Sequence, residues 1–246
     1  MFTKSLVKFQ EWVICLANLI KTPDELLLIM KAEAMGDICF EHMLDFIKPG
    51  LTEIEVAEEI ERVLYSLGGE GLAFPTIAVS GVNSNQPHGV PSDKKIQEGD
   101  FLTMDFGAVY KGYCADMTRT VAIGYATEEM KTVYNTVLKS QIAGLEAVKA
   151  GVKCFDVDKV CRDIITEAGY GEYYIHGTGH GVGTEVHEPP TLNSRSDEIL
   201  QENQAVTVEP GIYLPEKFGV RIEDLAIVTS FGIINCSRST KELIIL

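Results

Sequence analysis

The sequence contains no HExxH segment, no CxxC pair and no low-complexity tract. The first absence excludes the helix-borne zinc protease arrangement. The second, with six cysteines at irregular spacing, argues against a disulfide framework and for reduced thiols in a reducing cytosol. Basic residues are scarce: 21 Lys and Arg stand against 36 Asp and Glu, a formal net charge of −15. No basic stripe exists to neutralise phosphates, which argues against a nucleic-acid binder. No apolar run reaches membrane-spanning length. The longest near the start, WVICLANLI (Trp12–Ile20), follows Lys4 and Lys8, but Gln10 and Glu11 interrupt it and no small-x-small cleavage site follows. It reads as a docking helix rather than a signal peptide.

What remains is a chain of 246 residues, 46% of them hydrophobic. That is enough for one large core or two half-size lobes. Thr22-Pro23-Asp24-Glu25 and Thr52-Glu53-Ile54-Glu55 are helix starts of the capping-box type. The first helix is expected to stop at Pro49-Gly50 and the second at Gly68-Gly69. Further helices are expected over Glu128–Lys149 and Phe155–Ala168. Strands are expected over Thr76–Ser80, Phe101–Val109, Met117–Ile123, Ala205–Glu209, Val220–Val228 and Ile233–Cys236.

The order repeats. Lys48, Gly50, Val56 and Gly68 recur 101 residues later as Lys149, Gly151, Val157 and Gly169. IQEGDFLTMDFG from Ile96 aligns with LQENQAVTVEPG from Leu200, which places Asp105 on Glu209. Two copies of a helix–helix–strand unit would form a pseudo-two-fold domain, with a carboxylate from each half at its axis.

FLTMDFGAVYKGYCADMTRT (Phe101–Thr120) reads as a hairpin turning at Lys111-Gly112. In that register Asp105 faces Thr118, and Asp116 points the same way. Two adjacent carboxylates resist ionising. Either they pair with Arg119 or Arg221, or a cation sits between them. Cys114 alternates onto the Asp116 face, where packing is its plainer role.

Five histidines occur. His42 falls on the first helix as a surface or packing residue. His88 lies in NQPHGVP, and His176, His180 and His187 lie in HGTGHGVGTEVHEPP. The glycines there let backbone approach closely and leave imidazoles projecting into a cleft. Glu209 in AVTVEPG and Glu223 in GVRIEDLAIV sit among apolar neighbours and need partners; Arg221 could serve Glu223. Asp105, Asp116, His180, Glu209 and Glu223 together form a hard, oxygen-rich set. It suits two closely spaced divalent ions, with Mn²⁺ first and Co²⁺, Fe²⁺ or Zn²⁺ compatible.

These motifs, MDFG-x8-D, HGTGHGVG-x3-H, VEPG and RIED, resemble those of the pita-bread metallopeptidases: methionine aminopeptidase, aminopeptidase P and prolidase. The resemblance covers about Lys21 to Leu246. It implies an α+β pita-bread (creatinase/aminopeptidase) fold, with pseudo-two-fold duplicated helix-helix-strand units around a curved antiparallel sheet. Asp105 resembles a ligand of one ion, Asp116 and Glu223 the bridging ligands, and His180 and Glu209 ligands of the other. His88 resembles the histidine at the scissile peptide, and His187 the one at the substrate carbonyl oxygen. His176 resembles a further substrate-side histidine, Tyr213 and Arg221 resemble supporting partners, and Glu209 also resembles the proton shuttle.

VRIED, EPGIY and the hairpin look like the Xaa-Pro peptidase branch, while PHGVPSD looks closer to methionine aminopeptidase. The implied activity is a dinuclear metallo-exopeptidase, an Xaa-Pro aminopeptidase or dipeptidase. It would use metal-activated water on short peptides with proline at the second position. A cytoplasmic location, a possible homodimer, and neither nucleic-acid nor membrane partners go with it. Methionine aminopeptidase is the alternative enzyme, an inactive peptide-binding module the alternative of another class, and a metal-free creatinase-like hydrolase a remoter one. Residues 1–20 read as a residual linker or docking helix and 21–246 as the catalytic domain; proline-specific members usually carry an additional N-terminal domain.

Overall fold

The computed structural model describes residues 19–246. The docking helix expected at Trp12–Ile20 lies, except for Leu19 and Ile20, outside the described residues. Both expected capping boxes form. Helix α1 (Pro23–Phe46) starts on Thr22, whose hydroxyl accepts from the Glu25 N–H while the Glu25 carboxylate accepts from the Thr22 N–H. Helix α2 (Glu53–Ser66) repeats the device with Thr52 and Glu55. Each such cap contributes about 0.5–2 kcal/mol. Gly68, at φ +100°, ends α2 in the left-handed region, which costs a glycine nothing.

Strands β1 (Gly71–Leu72), β2 (Ile77–Ser80), β3 (Phe101–Phe106), β4 (Ala108–Tyr110), β5 (Tyr113–Cys114) and β6 (Met117–Ala122) complete the first half. The second half contains α3 (Glu128–Ala147), α4 (Cys154–Glu167), β7 (Gly179–Gly181), β8 (Glu188–Leu192), β9 (Ala205–Val208), β10 (Gly211–Leu214), β11 (Phe218–Arg221), β12 (Asp224–Thr229) and β13 (Gly232–Asn235). One sheet runs β2-β3-β6 and another β13-β12-β9-β7-β8, both antiparallel. They meet where the Glu223 N–H donates to the Thr118 carbonyl.

The internal repeat is visible in the hydrogen bonds. The Gly50 N–H donates to Ile96 O and the Ile96 N–H to Leu51 O; the Gly151 N–H donates to Leu200 O and the Leu200 N–H to Val152 O. Gly50 and Gly151 share a left-handed φ of +95° and +89°. Each half has its own core. Ile60, Leu64, Leu102 and Met104 pack under α1 and α2, and Val137, Cys161, Val206 and Val208 under α3 and α4. The duplication thus answers the size limit on a single core by building two smaller ones.

The hairpin keeps the expected register, with Asp105 opposite Thr118. It is not continuous, however. The chain bends at Gly107, so that β4 and β5 join β1 in a separate sheet while β3 and β6 pair with β2. A Cβ at Gly107 would stand 1.8 Å from the Ala115 carbonyl oxygen, so only glycine admits the close approach. Asp116 consequently falls in the gap between β5 and β6 rather than inside a strand. Likewise the strand expected over Val220–Val228 breaks between β11 and β12, with Glu223 in the break.

Candidate metal centre and substrate cavity

A cavity of about 760 Å³ opens between the two halves. Asp105, Asp116, His180, Glu209 and Glu223 all reach its wall, and so do His88, His176, His187 and Arg221. Tyr213 lies behind the wall, buried. The structure therefore brings together the residues that the sequence singled out, from β3, the β5–β6 gap, β7, the end of β9 and the β11–β12 break.

Asp116, His180 and Glu223 each offer a ligand atom within 4.8 Å of the others. His180 Nε2 lies 3.5 Å from Asp116 Oδ2 and 3.2 Å from Glu209 Oε1. Its other ring nitrogen, Nδ1, lies 3.1 Å from the Gly181 carbonyl, which makes that nitrogen a donor and turns Nε2 to the acids. A register shift between His180 and Gly181 aims the ring, as bulges beside sites do. The His180 N–H donates to Thr207 Oγ1, and that hydroxyl donates to Glu209 Oε1. Thr207 thus holds two neighbouring candidate ligands.

The electrostatics of the cluster bear on whether it fits a cation. Burial raises Asp116 well above the ordinary carboxylate range, and the charges of Glu223, Asp105 and Glu209 raise it further. Burial, then Glu209 and Asp105, do the same to Glu223. Asp105 is raised by burial against the pull of Arg221. Burial opposes ionisation of Glu209 as well, but the His180 hydrogen bond and charge outweigh it and hold Glu209 at about 2. Asp105 Oδ1 is buried with no hydrogen-bond partner. An orphaned carboxylate oxygen beside acids that resist ionisation, with one imidazole nitrogen turned inward, is a donor set that divalent ions fit.

Of the pairings the sequence left open, Arg221 with Asp105 forms, and those of Arg119 with either aspartate and of Arg221 with Glu223 do not. Arg221 does not pair with Glu223. Its Nη2 bonds Asp105 Oδ2, its Nη1 donates to Tyr213 Oη at 2.8 Å, and its Nε donates to Thr118 Oγ1 at 3.0 Å. Glu223 instead accepts from the Thr118 hydroxyl at 2.6 Å. Tyr213 Oη in turn meets His176 Nε2 at 2.8 Å. Arg119 touches neither Asp105 nor Asp116 and pairs with Asp224.

Thr118, Thr207 and Glu33 were not foreseen. Thr118 could have been, because the hairpin register places it across from Asp105. Glu33, fully buried on α1, accepts from the Asp116 N–H at 3.3 Å and from the Ser237 hydroxyl; nothing local signals that contact. Burial pushes the Glu33 carboxyl up to about 8.

The His187 ring lies 4.3 Å from the His180 ring, centroid to centroid, tilted by 60° to it. Burial and the neighbouring His180 both lower its pKa. His88 stands exposed at the cavity mouth. Cys114 is buried, with Sγ near the Thr184 carbonyl, and packs in a small core cluster rather than in the cavity. His42 pairs with Glu59 on the helix surface, as expected. Among the described residues no helix is long and apolar enough to cross a membrane.

Comparisons with known proteins give the family and the fold. The profile of metallopeptidase family M24 matches residues 28–230, and the chain belongs to that family. It is 48% identical over 229 residues to the uncharacterized peptidase YqhT of Bacillus subtilis, covering 93% of this chain and 65% of the relative. A solved Xaa-Pro dipeptidase from Bacillus anthracis superposes with a TM-score of 0.94 at 50% identity, covering 95% of this chain and 66% of that one. An X-Pro aminopeptidase from Thermotoga maritima gives 0.93 at 40% identity, with 95% and 66% covered. The shared architecture is the pita-bread fold. The chain spans about 65% of the length of that curated relative.

Proposed function

We propose that the protein is a dinuclear metal-dependent exopeptidase that hydrolyses Xaa-Pro bonds at peptide N-termini. The observation that carries this reading is the buried cluster of Asp105, Asp116, His180, Glu209 and Glu223 at the cavity wall, whose acids repel one another and leave an oxygen of Asp105 unpartnered. The likeness to a solved Xaa-Pro dipeptidase and a solved X-Pro aminopeptidase supports the substrate class.

Asp105, Asp116, His180, Glu209 and Glu223 would hold two divalent ions, with Mn²⁺ the first to test. When bound, such ions activate water near neutral pH and stabilise developing negative charge. The remaining work falls to the protein. His187, exposed beside His180, is placed to donate to a substrate carbonyl oxygen as it gains charge. His88, at the mouth, is placed to meet the peptide on the other side. Glu209, beside His180 at the cavity wall, would take a proton at its carboxylate and deliver it to the leaving nitrogen. In an Xaa-Pro bond that nitrogen carries no hydrogen, so substrate is retained by shape and through its carbonyl groups. Phe74, Pro75, Ile77 and Val90 supply apolar wall beside these groups.

The test is hydrolysis by metal-stripped protein reloaded with Mn²⁺, on Ala-Pro, Ala-Pro-Ala and Met-Ala-Ser in parallel. Cleavage of the proline peptides alone is expected, and the choice between them separates a dipeptidase from an aminopeptidase. Cleavage of Met-Ala-Ser alone would replace the reading with a methionine aminopeptidase. Absence of both cleavage and metal binding would replace it with a peptide-binding module.

A further inference from the structure

His88 sits on a loop with no regular structure beyond one 3-10 turn at Gly81–Asn85. The loop leaves β2 at Ser80 and returns at Ser92, and Pro87, His88, Gly89, Val90 and Pro91 from it line the cavity. Such a loop must be closed at its base if His88 is to have one position.

A single carboxylate closes it. Glu53, the first residue of α2, is fully buried. Its Oε1 accepts from the Ser80 N–H at 2.7 Å and from the Ser80 hydroxyl at 3.0 Å. Its Oε2 accepts from the Ser92 N–H at 3.1 Å and the Ser92 hydroxyl at 2.7 Å. Asn83 Nδ2, inside the loop, reaches both oxygens at 3.2 and 3.1 Å. The Glu53 side chain thus grips both ends of the loop and its first turn. Two backbone bonds from the same helix start, Glu53 N–H to Lys94 O and Ile54 N–H to Ser92 O, lie alongside. The helix N-terminus favours the negative charge, and every partner of the carboxylate is a donor.

Nothing in the packing calls for an acid here. In the repeated half the corresponding residue is Cys154, buried against apolar neighbours. Glu53 does not line the cavity, and it touches none of the candidate metal ligands. We infer that Glu53 is a positioning residue for His88: it staples the loop of residues 80–92 and thereby fixes where that imidazole meets the substrate. At the far end Arg221 Nη1 donates to the Pro87 carbonyl, so the loop is held at base and tip.

The inference rests on the substrate role proposed for His88. The test compares Glu53→Gln, His88→Ala and the double variant for kcat/KM on the cleaved proline peptide. Co²⁺ binding is followed by absorption in the same proteins. Glutamine keeps the size of Glu53 but turns an amide N–H₂ toward groups that donate. Glu53→Gln should lose about ten- to hundredfold in kcat/KM, the range of a small misplacement, while Co²⁺ binding stays at the wild-type level. The double variant should be no slower than His88→Ala, because a residue acting through His88 has nothing left to position.

Glu55→Ala is the structural control. It breaks the exposed capping box of the same helix and should lower Tm while leaving kcat/KM unchanged. Ser92→Ala removes one grip and should move kcat/KM in the same direction as Glu53→Gln, which serves if the buried variant does not fold. Multiplying losses in the double variant, or an equal loss in Glu55→Ala, would overturn the inference. Peptide hydrolysis at the wild-type level in His88→Ala would instead remove the substrate role of His88, and the inference with it. Hydrogen exchange reads the staple independently of activity: the amides of residues 81–86 and 88–90 should lose protection in Glu53→Gln, and unchanged protection would overturn the inference.

Discussion

Arg119→Met is the substitution whose cost the structure specifies most closely. Arg119 is 1% exposed and is the largest fully buried side chain among the described residues. Its Nη2 donates to Asp224 Oδ1 at 2.8 Å and to Ser239 O at 2.9 Å; its Nη1 donates to Thr118 O and Glu223 O; its Nε donates to Thr240 O. One guanidinium therefore joins β6, the β11–β12 break and the C-terminal tail. Methionine matches its length but supplies no donor. Removing one partner of a buried pair costs about 3–5 kcal/mol. Asp224 would keep Lys241 and Asn235, and the Thr118 carbonyl would keep the Glu223 N–H, which favours the lower part of that range, while the abandoned carbonyl of Glu223 pushes upward. About 4 kcal/mol corresponds to a fall in Tm of roughly 8–16 °C for a domain of this size.

The assay is thermal unfolding of metal-free protein followed by circular dichroism. The deficit should depend on pH. Burial opposes ionisation of Asp224, but Arg119 and Lys241 outweigh it and hold its pKa below the usual range. A carboxylate depressed in this way stabilises the fold above its unfolded value of about 3.9 and loses that contribution as pH falls through the folded value. The gap between wild type and Arg119→Met should thus narrow below pH 4. A fall in Tm of under about 2 °C at pH 7, equivalent to less than ~1 kcal/mol, would refute the account of Arg119 as a structural clamp.

Asp116→Ala and Glu223→Ala should each abolish peptide hydrolysis and reduce bound Mn²⁺ as measured by atomic absorption; wild-type turnover in either would remove the dinuclear assignment. His187→Ala should retain metal yet lose about 10²–10³ in kcat, the loss expected for one donor to a developing oxyanion, and an unchanged kcat would remove that role. His176 is shifted down by burial, against the charge of Glu209 and with help from Arg221. The folded protein then binds fewer protons there than the unfolded chain, so this group lowers stability as pH falls below about 6.5. Between pH 7.5 and 5.5 the wild type should accordingly lose more Tm than His176→Gln, and equal losses would contradict the shift.

Much of the architecture was legible because its causes are local. Thr22 with Glu25 and Thr52 with Glu55 mark helix starts within four residues of sequence. The Lys111-Gly112 turn sets the register that brings Asp105 opposite Thr118. The duplication was legible as spacing, since Gly50 and Gly151 must each turn through positive φ. The illegible parts depend on partners far along the chain. The bend at Gly107 follows from contact with Ala115 O, which a flat hairpin pattern does not display. The sequence offered Arg119 and Arg221 equally to the same acids; only the positions of β11 and β12 beside β6 send Arg221 to Asp105 and Arg119 to Asp224. Glu53 looked like an ordinary first-turn acid, because its partners lie 27 to 39 residues away.

The same long-range effects explain how the five candidate ligands converge. In an uninterrupted sheet, side chains on one face recur every second residue and spread along the strand. Only Asp105 occupies such a regular position. Asp116 lies in the gap between β5 and β6, His180 at a register shift, Glu209 just past β9, and Glu223 between β11 and β12. Each interruption frees a backbone N–H from the regular ladder, and each finds a specific acceptor: Glu33 for Asp116, Thr207 for His180, Thr178 for Glu209, Thr118 for Glu223. An acceptor supplied from elsewhere in the fold lets the strand turn without leaving a buried amide unpaired, an omission that would cost about 1–3 kcal/mol at each site. The cluster therefore depends on Glu33, Thr207 and Thr118 as well as on its own acids, which is why a reading of the acids alone could name the ligands but not the residues that aim them.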